Sequence, residues 1–100
     1  KIEEAIALLN RAMAADPDNP YYMDSLGWAY YKQGKADEAI ELIQKAIFTM
    51  ETDDAVLRDH LGDAYLLKGD KERALEEWQR ALRLDPDMPG LKEKIEQNQP

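Results

Sequence analysis

His60 is the sole histidine of this chain, and it stands beside Asp59 and three residues before Asp63. A carboxylate at that distance along a helix lies within reach of an imidazole, so His60 and Asp63 have the types needed for an acid–base pair or for two ligands of a metal ion. Neither chemistry is completed. Successive residues point apart on a helix, no second histidine exists, and no nucleophile is arranged nearby. The chain has no cysteine, which removes disulfides, thiolate catalysis and thiolate metal sites. The pairs Glu3–Glu4 and Glu76–Glu77 read as solvated helix faces. Glu41 with Lys45 and Glu76 with Arg80 read as i,i+4 supports worth about a few tenths of a kcal/mol each. The expectation is a non-enzyme with no catalytic, metal or cofactor site.

What remains is binding, and charge restricts the partner. A formal net charge of -8 with no basic stripe opposes a nucleic-acid backbone. An acidic surface either serves solubility alone or draws a basic or mixed peptide through its long-range field. No apolar run approaches the ~18 residues that a membrane span requires, so no membrane insertion by this segment is expected. Lys1 to Ala5 already reads as helix, so no targeting segment is visible at the start.

The elements that would position a binding surface are written twice. Leu26-Gly27-Trp28-Ala29-Tyr30 returns 35 residues later as Leu61-Gly62-Asp63-Ala64-Tyr65. Gly34 is echoed by Gly69, Ala39 and Ala46 by Ala74 and Ala81, and Ile43 by Trp78. Apolar spacings of three and four predict helices over 1–14, about 20–33, 36–50, from an Asp53 cap to 68, and 71–84. A shorter polar helix follows at about 89–98, with Leu91 and Ile95 to pack. Asp16-Pro17 and Asp85-Pro86 stop helices, Asn19-Pro20 starts one, and Gly34 and Gly69 close two. Gly27 and Gly62 stand mid-helix, where glycine is worth roughly 1 kcal/mol less than alanine. Close approach of the facing helix, at Ala39 and Ala74, is the expected compensation, with Ile43 and Trp78 filling wider space beyond.

This double pattern resembles the tetratricopeptide repeat, whose motif of about 34 residues asks for a large residue, Leu-Gly, Tyr, Gly, Ala, an aromatic, Ala and a closing Pro. The first copy, 20–53, answers with Met23, Leu26, Gly27, Tyr30, Gly34, Ala39, Ile43 and Ala46, but has Glu51 where Pro is expected. The second, 55–88, answers with Leu61, Gly62, Tyr65, Gly69, Ala74, Trp78, Ala81 and Pro86, and has Arg58 in the large apolar place, a weakness in that layer. Residues 1–17 match the second helix of a partial repeat through Ala5, Leu9, Ala12 and Pro17, and 89–98 reads as a cap. An extra residue near Thr52-Asp53-Asp54 accounts for the spacing of 35. The resemblance implies an all-α fold, a right-handed superhelical solenoid of antiparallel hairpins with about six helices, the first helix of each hairpin lining the concave side.

It also implies where a ligand lies. Tyr21, Asp24, Trp28, Tyr31 and Lys32 of the second helix, with Val56, Asp59, Asp63, Leu66 and Leu67 of the fourth, face the concave side. Trp28 with Tyr21 and Tyr31 is either an aromatic anchor for a partner or a cover for the neighbouring helix. Asp24, Asp59 and Asp63 are either an acidic rim that accepts from basic ligand groups or plain solvated charge. The family's lysine-and-asparagine clamp for a terminal carboxylate is not expected, since only Lys32 fits it. Ile2, Ile6 and Leu9 of the first helix have one side uncovered, so this is either a C-terminal piece of a longer array or an edge for self-association. The run from Asp18 to Trp28, with Asp59 to Asp63 and Trp78, is similar to the C-terminal repeats of bacterial envelope and lipoprotein adaptors, some of which hold a processing protease with its substrates. The expected function is a protein- or peptide-binding adaptor, in the periplasm or at the outer membrane, or else in the cytoplasm. The alternative is a set of purely structural terminal repeats.

Overall fold

Six α-helices form along the computed structural model, which describes residues Lys1–Pro100: α1 Ile2–Ala15, α2 Pro20–Lys32, α3 Ala36–Thr49, α4 Ala55–Lys68, α5 Lys71–Leu84 and α6 Leu91–Gln97. Their ends follow from local chemistry. The Asn19 side chain accepts from the Tyr21 and Tyr22 backbone N–H groups at 2.9 and 3.3 Å, and Pro20 needs no donor partner in the first turn. Gly34 and Gly69 sit at φ +81° and +94°, the left-handed turn that lets Lys35 N–H reach Tyr30 C=O and Asp70 N–H reach Tyr65 C=O, both at 2.9 Å. These paired stops set α2 against α3 and α4 against α5 as hairpins.

Most helix ends fall within one residue of the sequence reading, and two helix starts differ in their capping. Asp54, not Asp53, caps α4, accepting from Leu57 N–H at 3.0 Å. Asp53 instead accepts from the Arg58 guanidinium at 2.8 Å, a bond that holds its carboxyl below the usual carboxylate range. The last helix begins at Leu91 and has no side-chain cap, because Pro89-Gly90 supplies none.

The core runs through the hairpins and across them. Ala39, Ile40, Ile43, Leu61, Ala64, Tyr65, Ala74, Trp78, Ala81, Leu91 and Ile95 form one buried cluster. Met23, Ala46 and Leu57 form a second, against which Met13 of α1 packs. The mid-helix glycines are what let these layers close. A Cβ on Gly27 would stand 2.8 Å from Ile43 Cγ1, and one on Gly62 would fall within the Trp78 indole. The large residues therefore enter the glycine notches themselves, rather than filling space beyond them. Seated there, Trp78 is only 1% exposed, and its indole N–H donates to Asp59 C=O at 3.3 Å.

Arg58 stands in the motif's large apolar place, and the neighbouring Leu57 supplies buried apolar surface toward the preceding hairpin, against Met23 and Ala46. Arg58 lies over α5, where Nη1 donates to Glu77 Oε1 at 2.8 Å, while Arg80 donates to Glu77 Oε2 at 2.7 Å. Burial works against the Arg58 charge, yet Asp53 and Glu77 together hold its pKa above the ordinary value. Glu77 is thus buried, 6% exposed, and not part of a solvated face. Arg80 pairs with it in place of the i,i+4 partner Glu76. Phase explains the exchange: 35 residues earlier, the Arg58 and Glu77 positions hold Met23 and Leu42, both apolar.

Gly62→Ala is expected to lower stability by about 1–3 kcal/mol in urea denaturation, although alanine is the better helix former, because a rigid indole cannot retreat. Glu77→Ala should destabilise on the order of 2 kcal/mol by stranding Arg58, which keeps Asp53 and some solvent. The double replacement Arg58→Met, Glu77→Leu should recover most of that loss, and the urea midpoint checks it.

Candidate functional site

The site begins with a stripe on α2. Asp24, Trp28 and Tyr31, at helical spacings of four and three, share one face. Trp28 stacks on Tyr31 with ring centroids 4.5 Å apart and planes 13° from parallel. Its other contact crosses to α4, where the His60 ring stacks at 4.3 Å and 26°. His60 is held there by Asp24, whose carboxyl oxygens lie 2.9 and 3.1 Å from Nδ1. The indole is half-buried, so it covers the neighbouring helix while part of the side chain stays open.

The acidic residues are already partnered. Lys94 of α6 donates to Asp59 Oδ1 and Asp63 Oδ1, each at 2.9 Å, and its ammonium lies 5.4 Å from the Trp78 ring centre. Burial works against the charge on Lys94, but the two carboxylates hold its pKa above the ordinary value. Burial pushes the Asp63 carboxyl up even with Lys94 beside it, and Asp59 adds to that. Tyr31 is likewise raised, by burial first and then by Asp63. For His60, burial pulls down while Asp24, Asp59 and Asp63 pull up, and the carboxylates win.

Of the residues expected to face a ligand, Asp24, Trp28, Tyr31, Asp59 and Asp63 therefore come together in one network. Tyr21, Val56, Leu66 and Leu67 are exposed on the same two helices, Tyr21 at 58%, and Lys32 is exposed at the end of α2. An acidic rim free to accept from a ligand is not what forms: Asp24 is buried against His60, while Asp59 and Asp63 hold Lys94. Ile2, Ile6 and Leu9 of α1 are half-buried, while Leu8 is open.

Two members escape sequence reasoning. Neighbours in sequence suggest Asp59 and Asp63 as partners for His60, whereas Asp24 and Trp28 reach it from the preceding hairpin. Lys94 reads as part of a polar cap. Its signal is nonetheless present: a step of 34 residues carries Leu57 to Leu91, Leu61 to Ile95 and His60 to Lys94. Chemically, the cluster offers a stacked aromatic surface among paired charges. The imidazole Nδ1 within it is committed to Asp24.

Comparison with known proteins agrees with this architecture. A tetratricopeptide repeat family model matches residues 1–55, and another tetratricopeptide repeat model matches 55–88. The chain belongs to the tetratricopeptide repeat family. No curated protein matches the sequence. Among solved structures, the first repeat domain of Spaghetti (RPAP3) bound to the HSP90 peptide SRMEEVD is 23% identical with a TM-score of 0.90, over 98% of this chain and 77% of that one. The second repeat domain of human RPAP3, in complex with the HSP70 peptide SGPTIEEVD, is 24% identical with a TM-score of 0.87, over 98% and 81%. MamA is 27% identical with a TM-score of 0.86, over 97% of this chain and 56% of that one. These tetratricopeptide likenesses establish the all-α hairpin fold.

The raised His60 pKa has a stability consequence of definite sign. Its folded value lies above the unfolded one of about 6.5, so the pairing contributes fully below that pH and is lost as pH rises through the folded value. NMR titration should show His60 titrating above its ordinary range. Asp24→Asn should lower that value and flatten the stability decrease on the alkaline side.

Proposed function

We propose that this chain is a non-catalytic scaffold that holds a peptide or protein segment on the concave side lined by α2, α4 and α6. The observation that carries this reading is Trp28, locked between Tyr31 and His60 yet partly open. An aromatic surface ordered before the ligand arrives spares the ordering entropy that weakens most recognition. Rigid aromatic side chains are also the usual anchors of interfaces. Tyr21 on α2 and Val56, Leu66 and Leu67 on α4 would extend the apolar surface.

The ligand's chemistry follows from what is already paired. Asp24 is bonded to His60, and Asp59 and Asp63 to Lys94, so apolar or aromatic side chains make the close contacts, and basic groups feel the residual field of a chain of -8. Peptide binding by the RPAP3 domains supports the scaffold reading, but their acidic EEVD peptides are a poor guide to this ligand. Lys94 is held between two aspartates, and Lys32 alone stands free on α2. The likeness of residues 18–28 and 59–63 to bacterial envelope adaptors supports a setting in the periplasm or at the outer membrane, as the C-terminal part of a longer protein that holds a protease with its substrates. The open Leu8 beside half-buried Ile2, Ile6 and Leu9 supports self-association along α1.

A structural reading has its own support: Lys94 ties α6 across the face, as a terminal cap would. One experiment separates the two. Peptides selected from a display library against the chain should lose about tenfold or more in affinity on Trp28→Ala with Tyr31→Ala, at unchanged helicity by circular dichroism. Undiminished affinity, or no selected peptide, would favour the structural reading.

A further inference from the structure

Four departures from the chain's own repeat meet at one place, remote in residue content from the α2–α4–α6 face. The extra residue near 52–54 makes the α3–α4 connection, 50–54, longer than the α1–α2 connection, 16–19. Arg58 stands where the first copy has Met23, Glu77 where it has Leu42, and Phe48 where the second copy has Arg83. All of these line or border a cleft of about 390 Å³ between the end of α3, the start of α4 and the outer side of α5. A second, shallower opening continues it past Phe48 to Arg83 and Leu84.

The surface of this trough is unlike the rest of the molecule. Phe48 is 87% exposed, the most open large apolar side chain of the protein, and Leu84 is 45% exposed beside the same opening. Three of the five arginines in the sequence line it. Arg58 is spent on Asp53 and Glu77. Arg80 is half-exposed with a single carboxylate contact, to Glu77, and Arg83 is exposed with no carboxylate within 4.0 Å. The trough as a whole sets Arg58, Arg80 and Arg83 against Glu51, Asp53 and Glu77, but the guanidiniums gather at the shallower opening, where Asp53 is the one carboxylate and Arg83 stands unpaired. A guanidinium presents several donors in a rigid fork, suited to a carboxylate in two-point contact.

We infer that the α3–α4–α5 cleft is a second binding site, which takes a partner's peptide segment bearing carboxylates next to bulky apolar side chains. The apolar groups lie against Phe48 and Leu84, and the carboxylates receive the free N–H groups of Arg80 and Arg83. The two faces then select opposite ligands. On α2 and α4 the aspartates are occupied and an aromatic surface is offered; here guanidiniums are left open beside an aromatic ring. A scaffold so built can hold two different segments at once.

The test uses the full chain and a fluorescein-labelled peptide of alternating glutamate and leucine, with an alternating lysine–leucine peptide as its counterpart. The acidic peptide should bind by fluorescence anisotropy and shift the amide signals of Phe48, Arg80 and Arg83. Phe48→Ala and Arg83→Glu, both at exposed positions and checked by circular dichroism, should each weaken it by about tenfold. Trp28→Ala with Tyr31→Ala should leave it unchanged, which separates this site from the concave one. The inference is overturned by no binding of the acidic peptide, by equal binding of the lysine peptide, or by amide shifts centred on Trp28. It is also overturned if inorganic phosphate alone reproduces the shifts, or if Phe48→Ala abolishes a dimer instead, since a bare anion or a second copy would then be the occupant.

Discussion

An indole and a Cβ cannot occupy the same volume, and the packing of α4 on α5 rests on that exclusion. Gly62 leaves a notch, Trp78 enters it, and the ring edge then reaches the Asp59 carbonyl for its one hydrogen bond. Gly27 and Ile43 repeat the arrangement with a smaller guest. Each glycine sacrifices roughly 1 kcal/mol of helix propensity. The return is a buried large side chain, worth about 1.5–3 kcal/mol for an aliphatic one and more for an indole. The balance favours burial, so the notch persists in both copies. With the hairpins closed in this way, their remaining apolar faces have only each other to pack against, and the core extends from α3 through α6.

Stacking alone would allow the hairpins to slide, and the polar network fixes their register. Asp24 and His60 join α2 to α4, Trp28 spans the same gap, and Lys94 fastens α6 to Asp59 and Asp63. Arg58 and Glu77 act within the second hairpin, where the first has Met23 and Leu42. Partly buried charges such as these add less to stability than their distances suggest, because desolvation offsets attraction. Their stronger effect is geometric. A carboxylate that accepts from two directions holds both donors in place, and the Asp24 carboxylate that fixes His60 presents the indole of Trp28 in one orientation.

The fold is legible because its determinants are local or periodic. Asn19-Pro20, Gly34 and Gly69 act within a few residues of themselves, and the glycine–alanine–large pattern recurs in phase. The Asp53–Asp54 choice is not legible, since both residues can cap a helix and the decision falls to Arg58. Glu77 looks solvated because a helix-surface pattern cannot show that an arginine from another helix will lie over it. For the face shared by α2 and α4, the family resemblance places Asp24, Trp28, Tyr31, Asp59 and Asp63 together. The partners that change their meaning, His60 and Lys94, come from adjacent hairpins and surface only when the 34-residue step is carried past the second copy. Phe48 gives no periodic signal, being off the packing stripe of α3.

These residues also indicate where specificity can be written in such a protein. The seam positions are constrained by volume: a larger residue at Gly62 meets an indole, and a smaller one at Trp78 opens a cavity. Positions off the seam carry no such constraint, so the chain can differ from its own repeat there without losing the stack. The two copies of this molecule differ at most of their positions off the seam. The extra residue, Arg58, Glu77 and Phe48 fall around a single cleft, and Trp28 against Asp63 distinguishes the other face. Where a repeat departs from its own period at several adjacent places, while its seam stays intact, stability alone does not require the departure. The charges left without partners then become the informative ones.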